Sequence, residues 1–265
     1  MTGHSAPAEE TRRHRLLRRT GVALGGVLGG LGLSACKYDF GFYRGATTQG
    51  HETFRLWQGF VWAGIAVGGL TFLLILWSVF RYRRKDDTIP KQITHNLPLE
   101  IVYTITPILI VAVLFGFTVV AENKVDYVAP DPAVKLLVTA YQWGWDFHYI
   151  GTDVTVQTSG AAFPENIPEA VLPVGQTVEV TLVSNDVIHG FYVAKFDFSR
   201  YAQPGVVNKF DLNIRQPGVF LGRCTQLCGL YHDQMLFRID AVSPSQFQTW
   251  LTSQESSAAK AKVAS

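Results

Sequence analysis

The chain is poor in cysteine and, over two long stretches, in charge, and each shortage excludes something. Three Cys among 265 residues provide no disulfide framework for a small secreted scaffold. No C-x-x-C-H occurs, so no c-type heme is attached through this chain. Opposite charges nearly cancel at +2, which leaves no basic footprint for nucleic acid. The balance is uneven along the chain. Residues 122–245 carry 13 Asp+Glu against 8 Lys+Arg, a net of −5, so the positive excess lies in the leader, one loop and the tail.

Charge is missing altogether from the 24 residues 57–80. As a helix this run is about 36 Å long, enough to cross a hydrocarbon core of about 30 Å with some tilt. A buried helix of a water-soluble protein of this length would show a polar face, which is absent. Trp57, Trp62 and Trp77 lie towards its ends, as in an interfacial aromatic belt. R-Y-R-R-K at 81–85, with Lys91 beyond, marks the cytoplasmic side. A second apolar run, 99–121, completes a transmembrane hairpin over 56–121 whose two ends both lie outside the cell membrane. Pro107 is expected to kink its second helix. Glu100 at the start of that run is either functional, as costly intramembrane carboxylates often are, or an interfacial residue favoured by the helix N-terminus.

Residues 1–35 read as an export signal: Arg12, Arg13, Arg15, Arg18 and Arg19, then an apolar run at 21–33 too short to span. The paired arginines hint at twin-arginine export. The run ends in L-S-A-C, which resembles a bacterial lipobox and implies a lipidated Cys36 as the mature N-terminus; an uncleaved or conventionally cleaved signal with an incidental Cys is the alternative. An external connector is expected at 36–55.

Beyond the hairpin the pattern changes to short strands: 134–140, 141–149, 152–156, 177–183, 210–214, 219–223 and 236–242, with a Pro-rich join at 163–173. In 141–149 aromatic residues alternate with Gln142, Gly144, Asp146 and His148, a period of two. Many short strands with Gly/Pro turns indicate a sandwich or barrel at 127–255. The stretch 243–254 reads as a terminal helix with Ser243 as N-cap and Pro244 in its first turn. Residues 256–265 read as a disordered tail.

The chemistry concentrates in C-T-Q-L-C-G-L-Y-H-D-Q-M, residues 224–235. Two thiols, an imidazole and a thioether share one turn-rich loop. Thiolate and thioether select soft metals, imidazole suits copper too, and Met235 tilts the choice from zinc to copper. A disulfide between Cys224 and Cys228, with Met235 as core filler, would leave the regular placing of His232 unexplained. A second imidazole is available at His189, in S-N-D-V-I-H-G-F.

His189 together with C-x-x-x-C-x-x-x-H-x-x-M resembles the dinuclear copper centre of cytochrome c oxidase subunit II, and the resemblance extends from about residue 49 to 254. It implies an α+β chain: the hairpin, then an extracytoplasmic cupredoxin-like Greek key and a short C-terminal helix. It implies two coppers bridged by Cys224 and Cys228, with His189 and Met235 on one and His232 and the backbone carbonyl of Gln226 on the other. Such a chain takes electrons from a cytochrome c and passes them to heme in oxidase subunit I, where oxygen is reduced to water with proton translocation. Q-W-x-W resembles the family stretch whose first Trp receives the electron, which implies Trp143 as the electron-entry residue; core or sheet packing is the other reading of these alternating aromatics. L-E-I-V-Y-T-I-T-P resembles the family segment whose Glu stands at the mouth of a proton channel of subunit I, which implies that role for Glu100.

The chain departs from the family pattern at Gly144, where Tyr is usual, and at Tyr201 and Val206, where an Asp and an Arg are common. At Gln226 the family has Glu, whose carboxylate holds magnesium at the subunit I boundary; a neutral amide implies a weaker magnesium site. His148 reads as a surface strand residue. The rivals are a quinol oxidase subunit, which lacks copper ligands, a copper-bearing nitric oxide reductase subunit, and a membrane-anchored copper store.

Overall fold

The computed structural model describes residues 41–89, 91–158 and 167–264; the leader, Cys36 and residues 163–166 of the Pro-rich join lie outside these. From Tyr43 onward the chain forms one unit. Helix α1 (Thr48–Arg81) starts where Thr47 caps it, accepting from the Gly50 N–H at 3.0 Å. It therefore begins nine residues before the uncharged run, inside the stretch expected as connector. Helix α2 (Leu97–Val125) starts at Asn96, whose side chain accepts from the Leu99 N–H at 3.3 Å, with Pro98 in its first turn. Beyond the buried Phe54, most apolar side chains of both helices point outward; Leu70, Phe72, Leu109 and Phe115 are all at least 60% exposed, as suits surfaces that meet lipid rather than a protein core.

Ten strands follow. One sheet has the order β3-β2-β1-β5-β8, from β1 (Val134–Tyr141), β2 (Gly144–Tyr149), β3 (Thr155–Gln157), β5 (Thr177–Ser184) and β8 (Asn208–Asn213). The other has the order β4-β10-β9-β6-β7, from β4 (Glu169–Pro173), β6 (His189–Val193), β7 (Phe198–Ala202), β9 (Gly218–Cys224) and β10 (Leu236–Val242). β1 and β5, and β4 and β10, are parallel; the other pairs are antiparallel.

The period-two pattern decides which faces close on each other. Trp145, Phe147 and Tyr149 are buried opposite Ala140, Val138 and Leu136. Across the sandwich Trp145 and Phe147 meet Phe237 at 5.1 and 5.6 Å between ring centres, and Phe191 meets Phe210 at 6.0 Å. Phe237 has room because Gly222 is its partner in the register; a Cβ there would stand 2.1 Å from the ring.

The structure corrects several boundaries. Residues 141–149 are not one strand: Tyr141 pairs with Gly144, and Gln142 and Trp143 make the turn of a hairpin. β4, β6 and β7 were not expected; each has only five residues, and β4 gains its place by parallel pairing along β10. The expected strand at 152–156 is reduced to β3. Helix α3 (Pro244–Ala264) opens on a reciprocal cap, with the Gln246 N–H on Ser243 Oγ at 3.3 Å and the Ser243 N–H on Gln246 Oε1 at 3.0 Å. It continues through the stretch expected as disordered tail, since 255–264 holds no Gly or Pro and is rich in the helix formers Ala and Lys.

The first helix is stitched to the sandwich. The Ala46 N–H reaches Lys195 O at 2.5 Å, the Arg215 N–H reaches Ala46 O at 2.8 Å, and Thr47 Oγ1 donates to Phe196 O at 3.0 Å. Gln49 Oε1 accepts from the Asn213 N–H at 3.2 Å. Gly50 lies so close to Phe196 that a Cβ would come within 2.1 Å of its carbonyl oxygen. Thr47 and Gln49 are buried polar residues, and these bonds are why they can be.

Candidate metal centre

The centre is built where β6 and β9 pair. That pairing sets Phe191 opposite Cys224 and brings His189, the first residue of β6, to the root of the loop between β9 and β10. His189 thus opens a strand rather than lying on a connecting loop. The loop lies down on β6: the Thr225 N–H bonds Gly190 O at 3.1 Å, and the Cys224 N–H bonds Met235 O at 3.0 Å. Gly190 makes this possible, because a Cβ there would stand 2.4 Å from Thr225 Oγ1 and 3.0 Å from the Gln226 nitrogen.

All six expected ligand positions converge. The sulfurs of Cys224 and Cys228 are 3.8 Å apart, and both are free thiols. Cys224 Sγ is 3.9 Å from His189 Nδ1 and 3.2 Å from the Gln226 carbonyl oxygen. Cys228 Sγ is 3.5 Å from His232 Nδ1 and 3.8 Å from Met235 Sδ. The donors of His189, Cys224 and Cys228 lie within 4.8 Å of one another, a grouping able to hold a metal ion. His189 and Met235 are fully buried. Soft sulfur, imidazole and one carbonyl oxygen form a donor set that fits copper.

Electrostatics prepares one thiol more than the other. Burial works against the Cys224 anion, but hydrogen bonds from His189 and the Gly190 N–H outweigh it and bring the thiol down to about 7. Burial and the neighbouring Cys224 charge push Cys228 up to about 12. Burial lowers the basicity of His189, yet the bonds to Cys224 and Asp186 overcome it and raise it. Asp186 Oδ1 stands 2.8 Å from His189 Nε2 and accepts from the Val187 N–H at 2.6 Å; its Oδ2 accepts from the Gln142 N–H at 2.6 Å.

Trp143 stands against the same loop. Its Nε1 donates to the Cys228 carbonyl oxygen at 3.2 Å, Gln142 Nε2 donates to the same oxygen at 2.7 Å, and the indole meets Tyr231 edge-on at 5.0 Å. Gly229, with φ of 121°, gives the loop a turn open only to glycine and leaves the space that Gln142 and Trp143 fill. At Gly144 the usual tyrosine has no room: a Cβ would stand 2.8 Å from the Tyr141 hydroxyl and 2.9 Å from Thr158. His148 bonds Thr155 at 3.0 Å on an exposed edge, apart from the centre. Glu100 is also elsewhere, in the first turn of α2, where its Oε1 accepts from the Asn96 N–H at 3.0 Å. Reading the sequence missed Asp186 and Gln142; an Asp three residues before the His and a Gln beside the Trp were the available signals.

A hairpin of two helices long and apolar enough to cross a membrane, a cupredoxin-like sandwich and a cluster of thiol and imidazole donors where two of its strands pair define a class: membrane proteins with a candidate soft-metal centre. Comparison with known proteins narrows the class. The family described as "Cytochrome C oxidase subunit II, periplasmic domain" matches residues 134–242, and "Cytochrome C oxidase subunit II, transmembrane domain" matches residues 35–119. A probable cytochrome c oxidase subunit 2 of Nocardia farcinica is 32% identical, with 91% of this chain and 82% of that one covered. One from Streptomyces avermitilis is 34% identical, covering 82% and 81%. A solved periplasmic domain of cytochrome oxidase subunit II from Bradyrhizobium japonicum is 26% identical, covers 49% of this chain and 99% of that one, and gives a TM-score of 0.45. The chain belongs to the cytochrome c oxidase subunit II family, and so is a subunit of an oxidoreductase assembly with other oxidase subunits as partners.

Proposed function

We propose that this chain is the electron-entry subunit of a cytochrome c oxidase, taking electrons from a cytochrome c and delivering them to heme in subunit I. The observation that carries the reading is the convergence of His189, Cys224, the Gln226 carbonyl, Cys228, His232 and Met235 at one place, with His189, both thiols and Met235 buried and Gln226 and His232 half-buried. These residues would hold a dinuclear copper centre, which when bound supplies a one-electron carrier. The residues' own contribution is to bind and to exclude water. Cys224 gives up its proton readily, and Cys228 gives up its own only when a cation offsets the second negative charge. Asp186 fixes His189 with Nδ1 towards the thiols. Trp143 reaches from the surface to the Cys228 carbonyl, a short bonded path into the centre.

The hairpin spans the cell membrane, with sandwich and N-terminus on the extracytoplasmic side and Cys36 as lipid anchor. Glu100 serves the proton channel as well as capping α2. Gln226 contributes its carbonyl to copper, while its amide gives magnesium a weaker site. Metal analysis and heme spectra of the purified native complex test the whole reading. Two coppers per subunit with a mixed-valence signal, lost in Cys224→Ser, are expected. One copper with a single-copper spectrum would refute it.

A further inference from the structure

Just below the stitched start of α1, helices α1 and α2 leave a cleft of about 360 Å³ between them. Its floor is apolar, lined by Leu56, Phe60, Leu114 and Phe117. Gly59 also lines it, and a Cβ there would meet nothing within 4 Å, so a larger side chain could be placed at that position. Its rim is charged. Arg55 and Lys124 are joined through Glu52, at 2.9 and 3.1 Å, which leaves a net positive charge. Their side chains remain 71% and 57% exposed, so both keep donors for a further partner.

The two cations stand at one level. Arg55 precedes the uncharged run that starts at Trp57 by two residues, and Lys124 follows the end of the second run at Ala121 by three. That is the depth of phospholipid headgroups if the runs cross the bilayer. More positive charge continues from Arg55 away from the cleft. Arg215 Nη1 lies 3.1 Å from His51 Nδ1, and Arg55 and Arg44 are near enough to act on the same imidazole. An acidic peptide would satisfy the rim and leave the floor bare; a neutral lipid would satisfy the floor alone.

We propose that this cleft holds an anionic phospholipid, its phosphate between Arg55 and Lys124 and an acyl chain along the floor. The inference rests on the reading of α1 and α2 as membrane-spanning. The test uses the full chain in phosphatidylcholine vesicles doped with spin-labelled phosphatidylglycerol, reading the immobilised fraction against labelled phosphatidylcholine. Wild type should immobilise phosphatidylglycerol preferentially. Arg55→Gln and Lys124→Gln should each weaken that preference about fivefold. Gly59→Leu, which fills the cleft without changing charge, should abolish it. Glu52→Gln should strengthen it, a change of sign that misfolding cannot produce. The proposal is overturned if wild type shows no preference, or if Gly59→Leu and the cation variants retain it. It is also overturned if a photo-crosslinker at position 59 captures another oxidase subunit in native membranes. Release of the chain from vesicles by alkaline carbonate would instead remove the membrane-spanning reading itself.

Discussion

Asp186 and His189 are bonded at 2.8 Å through Nε2, and this turns Nδ1 of the imidazole towards Cys224. A carboxylate behind a ligating imidazole fixes its tautomer and ring orientation, and losing it commonly lowers metal affinity about 10–100-fold. Asp186→Ala should do so here, measured by competition with a copper chelator. Asp186→Asn, whose amide oxygen still accepts bonds, should lose less. Equal copper affinity in Asp186→Ala would show that burial alone orients the ring.

Trp143 offers two separable features, an indole N–H on the Cys228 carbonyl and a ring packed on Tyr231. Trp143→Phe keeps a ring and loses the bond; Trp143→Ala loses both. Electron uptake from reduced cytochrome c, followed by stopped flow, should slow in both and more in Ala, with copper content unchanged. If both variants react at the parent rate, electrons enter by another route. The sandwich region's net −5 should make the uptake salt-sensitive.

Two glycines mark places where a methyl group has no room. Gly222→Ala would drive a Cβ into the Phe237 ring and should cost about 1–3 kcal/mol of stability while leaving the ligands in place. Gly190→Ala should disturb the copper spectrum as well, because its Cβ meets the ligand loop at Thr225 and Gln226. Gly190→Ala with Thr225→Ala should recover part of that loss. Urea unfolding and the copper absorption spectrum separate the two effects; an unperturbed spectrum in Gly190→Ala would count against the contact.

Asp197 holds a left-handed backbone, φ 54°, and its Oδ2 is buried without a partner among the described residues. Burial lifts its carboxyl from 3.8 to about 6. Between those values the folded chain keeps a proton that the unfolded chain gives up, so stability falls as pH rises from about 4 to about 6 and stays low above. Asn cannot ionise and tolerates the same backbone. Asp197→Asn should therefore gain about 1–2 kcal/mol at neutral pH, allowing for partial exposure, with the gain largely gone by about pH 4. Thermal melts across that range check it; a gain independent of pH would assign the effect to something other than charge.

The site was more legible than the fold's edges. Cys224, Cys228, His232 and Met235 share one short loop, so their spacing could be read directly, and only His189 had to be sought elsewhere. Helices α1 and α2 were visible because loss of charge over a long run has one common meaning. β4, β6 and β7 were not, since five-residue strands carry too little periodicity and owe their state to neighbours in the sheet. The turn at Gln142 and Trp143 was hidden because aromatic alternation continues across it. Asp186 escaped notice because its role appears only when β6 and the β1–β2 turn are brought together.

The stitching of Ala46, Thr47 and Gln49 into the sandwich has a mechanical meaning. A flexible tether would let the metal domain tilt over the membrane, and tunnelling rates decay exponentially with the gap that tilting opens. Here four backbone and side-chain bonds and the close seat of Gly50 on Phe196 make helix α1 and the sandwich a single lever. Under the proposed function, the height of the thiol pair above the bilayer would then be set by where the helix is anchored, and one well-seated helix would hold the hop to the next carrier constant.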